Sequence, residues 1–120
     1  YIQYAHARCC NIIKKTEQNL EKININVLNQ LTNEHESKII SKLLEFPHIV
    51  KKCIITLEPQ NISNYLMEIA SMLHSYYAKE RVVDIDNLSL SEARLYLINS
   101  IRIVIRNGLS LLKISAPEKM

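Results

Sequence analysis

Tyr1, Tyr4, Ala5 and Arg8 recur three and four residues apart in the opening octet Tyr1-Ile2-Gln3-Tyr4-Ala5-His6-Ala7-Arg8. On a helix that spacing makes one strip of two phenol rings, a small residue and a guanidinium. Phenol rings stack on planar ligands such as nucleobases, and a guanidinium grips phosphate or stacks as a plane. Far along the chain, Tyr76-Tyr77 is followed by Lys79 and Arg81, again interleaving aromatics with cations. Tyr76 continues the apolar stripe of its segment and reads as packing. Tyr77 falls off that stripe and reads as outward-facing, with Arg81 one turn further on the same side.

Bond-making chemistry has little to stand on. His6, His35, His48 and His74 are scattered, and none pairs with Cys, Asp or Glu at metal-motif spacing, so no metal site is expected. Asp84 and Asp86 read as a solvated acidic turn. The three cysteines, two of them adjacent (Cys9 and Cys10), make a poor disulfide framework and lack zinc-ligand spacing. Free thiols in a reducing cytoplasm are expected. No Gly-rich phosphate loop and no nucleophile elbow is present, so no catalytic residue is assigned.

The elements that must position these residues are helical. A single Gly and three Pro leave little turn chemistry for a many-stranded sheet. An apolar fraction of 48% with 22% charged residues is too apolar for disorder. No apolar run reaches the roughly 18 residues of a membrane span, and no basic-then-apolar leader precedes Tyr1. The chain reads as one domain, residues 1–120, cut from something larger. Net charge is only +3, which permits a nucleic-acid partner without demanding one.

Apolar periodicity predicts a first helix over 2–20. The alternation Ile23-Asn24-Ile25-Asn26-Val27 has the period of extended chain, read as a loop laid over the core. Asn33 and Glu36 form a capping pair for a second helix burying Ile39, Ile40, Leu43 and Leu44. Pro47 interrupts, and a short helix with Pro47 in its first turn buries Ile49, Val50, Cys53, Ile54 and Leu57. A long helix over 59–79 carries Ile62, Tyr65, Leu66, Ile69, Leu73 and Tyr76 on one face. Ser89 and Glu92 read as a capping box for a last helix running to about 112. Its residues Leu95, Tyr96, Leu97, Ile98, Ile101, Ile103, Val104 and Ile105 are apolar nearly all round, which places it at the centre of the bundle. Gly108 inside it implies a close crossing, expected with the first helix. The fold class is all-α, a bundle of four to five helices.

The two ends together resemble the C-terminal, all-helical anticodon-binding domain of arginyl-tRNA synthetases, a class I type. Such domains open on Tyr-hydrophobe-Gln-Tyr-Ala-His-Ala-Arg and close on Asn-Gly-Leu, Leu-Leu and Ser-Ala-Pro-Glu-Arg-Met. This chain ends Asn107-Gly108-Leu109-Ser110-Leu111-Leu112-Lys113-Ile114-Ser115-Ala116-Pro117-Glu118-Lys119-Met120, with Lys119 in place of the Arg. Between the ends, Glu45-Phe46-Pro47, Glu58-Pro59, Tyr65-Leu66 and Ser75-Tyr76-Tyr77 fall in the family's order.

The resemblance implies recognition of the anticodon stem-loop of arginine tRNA, with cytosine at the middle anticodon position. It brings the first helix, the end of the 59–79 helix and the final residue around flipped-out bases. Tyr4, Tyr77, Arg81 and Met120 are the positions carried over, and Arg8 joins them from the opening strip. The position of Arg81 can be aromatic in relatives, and Arg also stacks. Lys14, Lys15, Arg102, Arg106, Lys113 and Lys119 are candidate phosphate contacts. The tail is expected to fold back towards Tyr77, its backbone groups reading the cytosine edge. ATP with Mg belongs to the catalytic domain of the parent enzyme, an arginine–tRNA ligase, so this segment alone has no cofactor and does not aminoacylate. The partners expected are that tRNA and that catalytic domain, in the cytoplasm and away from membranes. Two alternatives stand beside this: the related domain of another class I synthetase such as the cysteinyl enzyme, or a helical protein-interaction module.

Overall fold

Helical spacing resolves into five α-helices in the computed structural model, which describes residues 1–16, 25–83 and 86–120. They are α1 (Ile2–Thr16), α2 (Glu34–Leu44), α3 (Phe46–Thr56), α4 (Gln60–Lys79) and α5 (Leu88–Leu111). No strand occurs among the described residues. The part of the first helix expected over 17–20 lies outside them, as does Asp84.

The central position expected for the last helix is observed. α5 packs against α1, α2, α4 and the segment before α2. Leu95, Leu97, Ile98, Ile101 and Ile105 are buried, while Tyr96 is 38% exposed and Ile103 and Val104 are partly covered. The α4 stripe of Ile62, Tyr65, Leu66, Ile69, Leu73 and Tyr76 is buried throughout. From α1, Ala5, Cys9 and Ile12 complete the core.

Four expectations need correcting. Ile25–Gln30 is a 3-10 helix, not extended chain. An isolated strand has no ladder to satisfy its backbone, whereas a 3-10 turn supplies its own hydrogen bonds. The segment does lie over the core, against α5. α5 begins earlier than the Ser89–Glu92 pair implies: Asn87 is the N-cap, its side chain accepting from the Leu90 amide at 3.1 Å. The expected burial along α3 fails, because this helix has no buried residue and Ile54 and Leu57 are 68% and 84% exposed. Only its Phe46, Ile49 and Cys53 stripe meets the core, with Phe46 stacked on Tyr65. In α2, likewise, Ile39 is buried but Leu44 is 76% exposed.

The fourth concerns Gly108. A Cβ there would lie 2.7 Å from both Leu66 methyl carbons, so the close approach is to α4 rather than to α1. Leu66 is fully buried, so its methyl groups must shift within the core to admit a Cβ. Gly108→Ala gains about 1 kcal/mol of helix propensity but overpacks the core at a cost of about 1–3 kcal/mol. Chemical denaturation is expected to show a net loss of stability, and Leu66→Ala is expected to relieve it. Strictly additive costs in the double variant would exclude this contact as the cause.

Asn33 caps α2 as its spacing predicts: its side chain accepts from the Glu36 amide at 2.8 Å and Glu36 accepts from the Asn33 amide at 3.2 Å. Glu36 then does more. It is 1% exposed and its second carboxylate oxygen accepts from the Tyr76 hydroxyl at 2.6 Å and Arg94 Nε at 2.8 Å. Burial, reinforced by the Glu36 hydrogen bond, pushes the Tyr76 phenol well above its ordinary range. Arg94 also donates to the Arg81 carbonyl at 2.8 Å. One buried network thus ties α2, α4 and α5 to the segment that follows α4.

Candidate nucleic-acid interface

The chain end does not fray. α5 closes with Lys113 in the left-handed region (φ 59°), the Lys113 amide donating to Ser110 and the Ile114 amide to Leu109. This is the Schellman arrangement, usually completed by Gly. Holding Lys there costs about 1–2 kcal/mol. The reversal lays the tail along α1. Gln3 Nε2 donates to the Ser115 carbonyl at 2.9 Å, His6 contacts the Pro117 carbonyl at 2.9 Å, and Lys14 pairs with Glu118 at 3.3 Å. Ala116 packs against the core.

A carbonyl oxygen only accepts, so His6 Nδ1 donates in this contact. The ring is 2% exposed, and Nε2 has no partner among the described residues. His6 and Gln3, neither of which was a sequence candidate, are therefore the anchors of the tail. Their signal was present in the opening octet, but only a folded-back tail gives it meaning.

With the tail in place, a recess of about 510 Å³ opens beside α1. Tyr4, Arg8, Lys14, Lys15, Tyr77, Lys119 and Met120 all line it. Its volume falls in the range of roughly 300–1,000 Å³ of small-ligand sites. Tyr4 and Tyr77 are 50% and 38% exposed and Met120 is 72% exposed, so aromatic and thioether surface faces the opening. The Arg8 guanidinium lies 4.6 Å from the Tyr77 ring centroid, a cation–π contact. His74, also not predicted, lies beneath them: Arg8 Nη1 is 3.0 Å from its Nδ1. Its ring sits 5.5 Å from that of Tyr1 and 5.8 Å from that of Tyr4.

The remaining candidates divide. Arg81 does not continue the α4 surface, because the helix ends at Lys79 and Glu80 turns to extended geometry. It lines an adjoining recess that shares Ile12 and Tyr77 with the first. Arg102, Arg106 and Lys113 border neither recess. Arg102 donates to Asn99 at 2.9 Å, Arg106 is exposed, and Lys113 serves the chain reversal. Lys14 is paired with Glu118, which leaves Lys15 and Lys119 as the lining lysines with no acidic partner among the described residues.

Burial pushes the Cys9 thiol up to about 12 and raises Cys10, which disfavours a thiolate nucleophile. Among the described residues no group of three His, Cys, Asp or Glu could hold a metal ion, and no helix is long and apolar enough to cross a membrane. The arrangement can stack planar groups, hold anions and offer tail backbone groups to a ligand edge.

The chain is 40% identical over 121 residues to the arginine–tRNA ligase of Herminiimonas arsenicoxydans, and 41% identical to that of a Bacillus cereus strain. Both matches cover all of this chain, which spans 21% and 22% of those relatives. The Thermus thermophilus arginyl-tRNA synthetase structure matches over all of this chain and 21% of that one, with TM-score 0.81 at 28% identity. A solved structure from Campylobacter jejuni matches all of this chain and 26% of its own, with TM-score 0.88 at 25% identity. The family described as DALR anticodon binding domain matches residues 2–120, the span that includes α1, the end of α4 and the folded-back tail, and this chain belongs to it.

Proposed function

We propose that residues 1–120 form the anticodon-binding domain of an arginyl-tRNA synthetase, recognising the anticodon stem-loop of tRNA(Arg). The observation that carries this reading is the single recess bordered by Tyr4, Arg8, Tyr77 and Met120. Proteins read single-stranded RNA loops by splaying bases out, stacking them on aromatic or guanidinium planes and hydrogen-bonding their edges. Tyr4 and Tyr77 are the platforms, and Arg8 backs the Tyr77 ring. Backbone groups near Met120 read the cytosine edge. Arg81 extends the surface into the adjoining recess. Lys15 and Lys119 meet phosphate next to the bases, with Lys14, Arg102, Arg106 and Lys113 available to the stem.

In the same reading, the domain supports attachment of arginine to tRNA by a catalytic domain elsewhere in a longer, cytoplasmic enzyme. ATP and Mg serve that domain and not this one. Loops that cradle phosphates need several glycines for close backbone approach, whereas the single glycine here, Gly108, lies inside α5 under Leu66.

Titrating the chain with an arginine anticodon stem-loop and with its middle-base variants tests the proposal. Cytosine should be preferred by on the order of tenfold to a hundredfold, the cost of leaving a buried edge unpaired. Affinity should also fall with added salt, by a slope of about 0.7 per phosphate neutralised on single-stranded RNA. Preference for another middle base, or no RNA binding, overturns the reading.

A further inference from the structure

His74 has no role in the proposed function, yet it contacts Arg8 and Tyr4, two residues that line the recess. It sits on α4 one turn before Tyr77, and its Nδ1 lies 3.0 Å from Arg8 Nη1. A guanidinium only donates, so Nδ1 here is an unprotonated acceptor and the imidazole is neutral. Arg8 is thus gripped twice by α4, once by the His74 nitrogen and once by the Tyr77 ring. We propose that His74 is a positioning residue of the base recess, holding the Arg8 guanidinium on Tyr77 through its neutral Nδ1. The consequence for RNA binding rests on the anticodon reading; the clamp itself does not.

Protonation would turn Nδ1 into a donor facing another donor, and would place two cations side by side. The groups that face His74 are Arg8 and the Tyr1 and Tyr4 rings, all from the α1 side. Burial first, then the Arg8 guanidinium, lower its pKa below the ordinary 6.5. The neutral form therefore holds above that value, and the clamp is lost as pH falls below it through the lowered value. Acidification alone should tighten binding to a polyanion, because the protein gains positive charge. The clamp predicts the opposite sign.

His74→Phe keeps a ring against Tyr1 and Tyr4 but removes the acceptor. His74→Asn places an amide oxygen near the position of Nδ1 and does not titrate. Near neutral pH, His74→Phe should weaken stem-loop affinity about tenfold, as expected for a lost hydrogen bond to a charged group, with an unchanged melting temperature. His74→Asn should recover most of that loss and flatten the acid dependence of the parent chain. In the RNA-free protein, NMR should show Arg8 side-chain protons shielded by the Tyr77 ring, with shielding lost on acidification and lost at every pH in His74→Phe. Wild-type affinity or undiminished shielding in His74→Phe overturns the clamp. A parent chain with pH-dependent shielding but no RNA binding upholds the clamp and sinks the anticodon reading.

Discussion

Replacing Glu36 by Leu is expected to cost about 3–5 kcal/mol of stability, the range for removing one member of a buried ion pair. The size follows from what is stranded. Arg94 is 9% exposed and would keep its charge with the weaker 3.4 Å contact to Glu80 as its remaining carboxylate partner, beside the neutral Arg81 carbonyl. The Tyr76 hydroxyl would lose its carboxylate acceptor, and the Asn33 amide its cap partner. Arg94→Leu should be similarly costly, since it strands the carboxylate instead. The double variant should cost much less than the two singles summed, because two apolar residues replace a pair whose desolvation was itself expensive. Urea unfolding of the four proteins measures this coupling. An additive cycle would mean that Glu36 and Arg94 act independently despite their 2.8 Å contact.

That network also marks the limit of what the sequence discloses. The Asn33–Glu36 cap was legible because both partners lie within one turn. The same Glu36 carboxylate meeting Arg94 was not, since the two are 58 positions apart and neither residue type signals burial. Periodicity located the α4 stripe fully, because one continuous face of a long helix finds partners along its length. It failed on α3, where apolar residues occupy two stripes and only one has a neighbour. At the recess, Tyr4, Arg8 and Tyr77 were legible from spacing and Met120 from family likeness. His74 was hidden because its value lies in a nitrogen that meets a residue on another helix. Arg81 reads as sharing the side of Tyr77, but it lies beyond the end of α4 and after the extended Glu80, so helical spacing does not govern where it points.

Deleting Ser115–Met120 is expected to weaken stem-loop binding at least as much as removing one stacked base, while the bundle stays folded. The tail contributes little to the stability of the bundle. The Lys14–Glu118 pair is 55% and 70% exposed at its two side chains, and such surface pairs contribute about 0–1 kcal/mol. The hydrogen bonds of Gln3 and His6 to tail carbonyls are the other polar ties, and of the tail side chains Ala116 packs against the core. The recess, by contrast, loses part of its lining: Glu118, Lys119 and Met120 border it together with Tyr77 and α1. Tyr77→Ala provides the scale, since a base stacked on an aromatic ring is worth about 1–3 kcal/mol by alanine substitution. If the tail and Tyr77 enclose the same base, the two effects should overlap when combined, the double variant falling short of their sum. If affinity survives the deletion while unfolding curves stay unchanged, the tail is a passive strap and the bases are read elsewhere on the bundle.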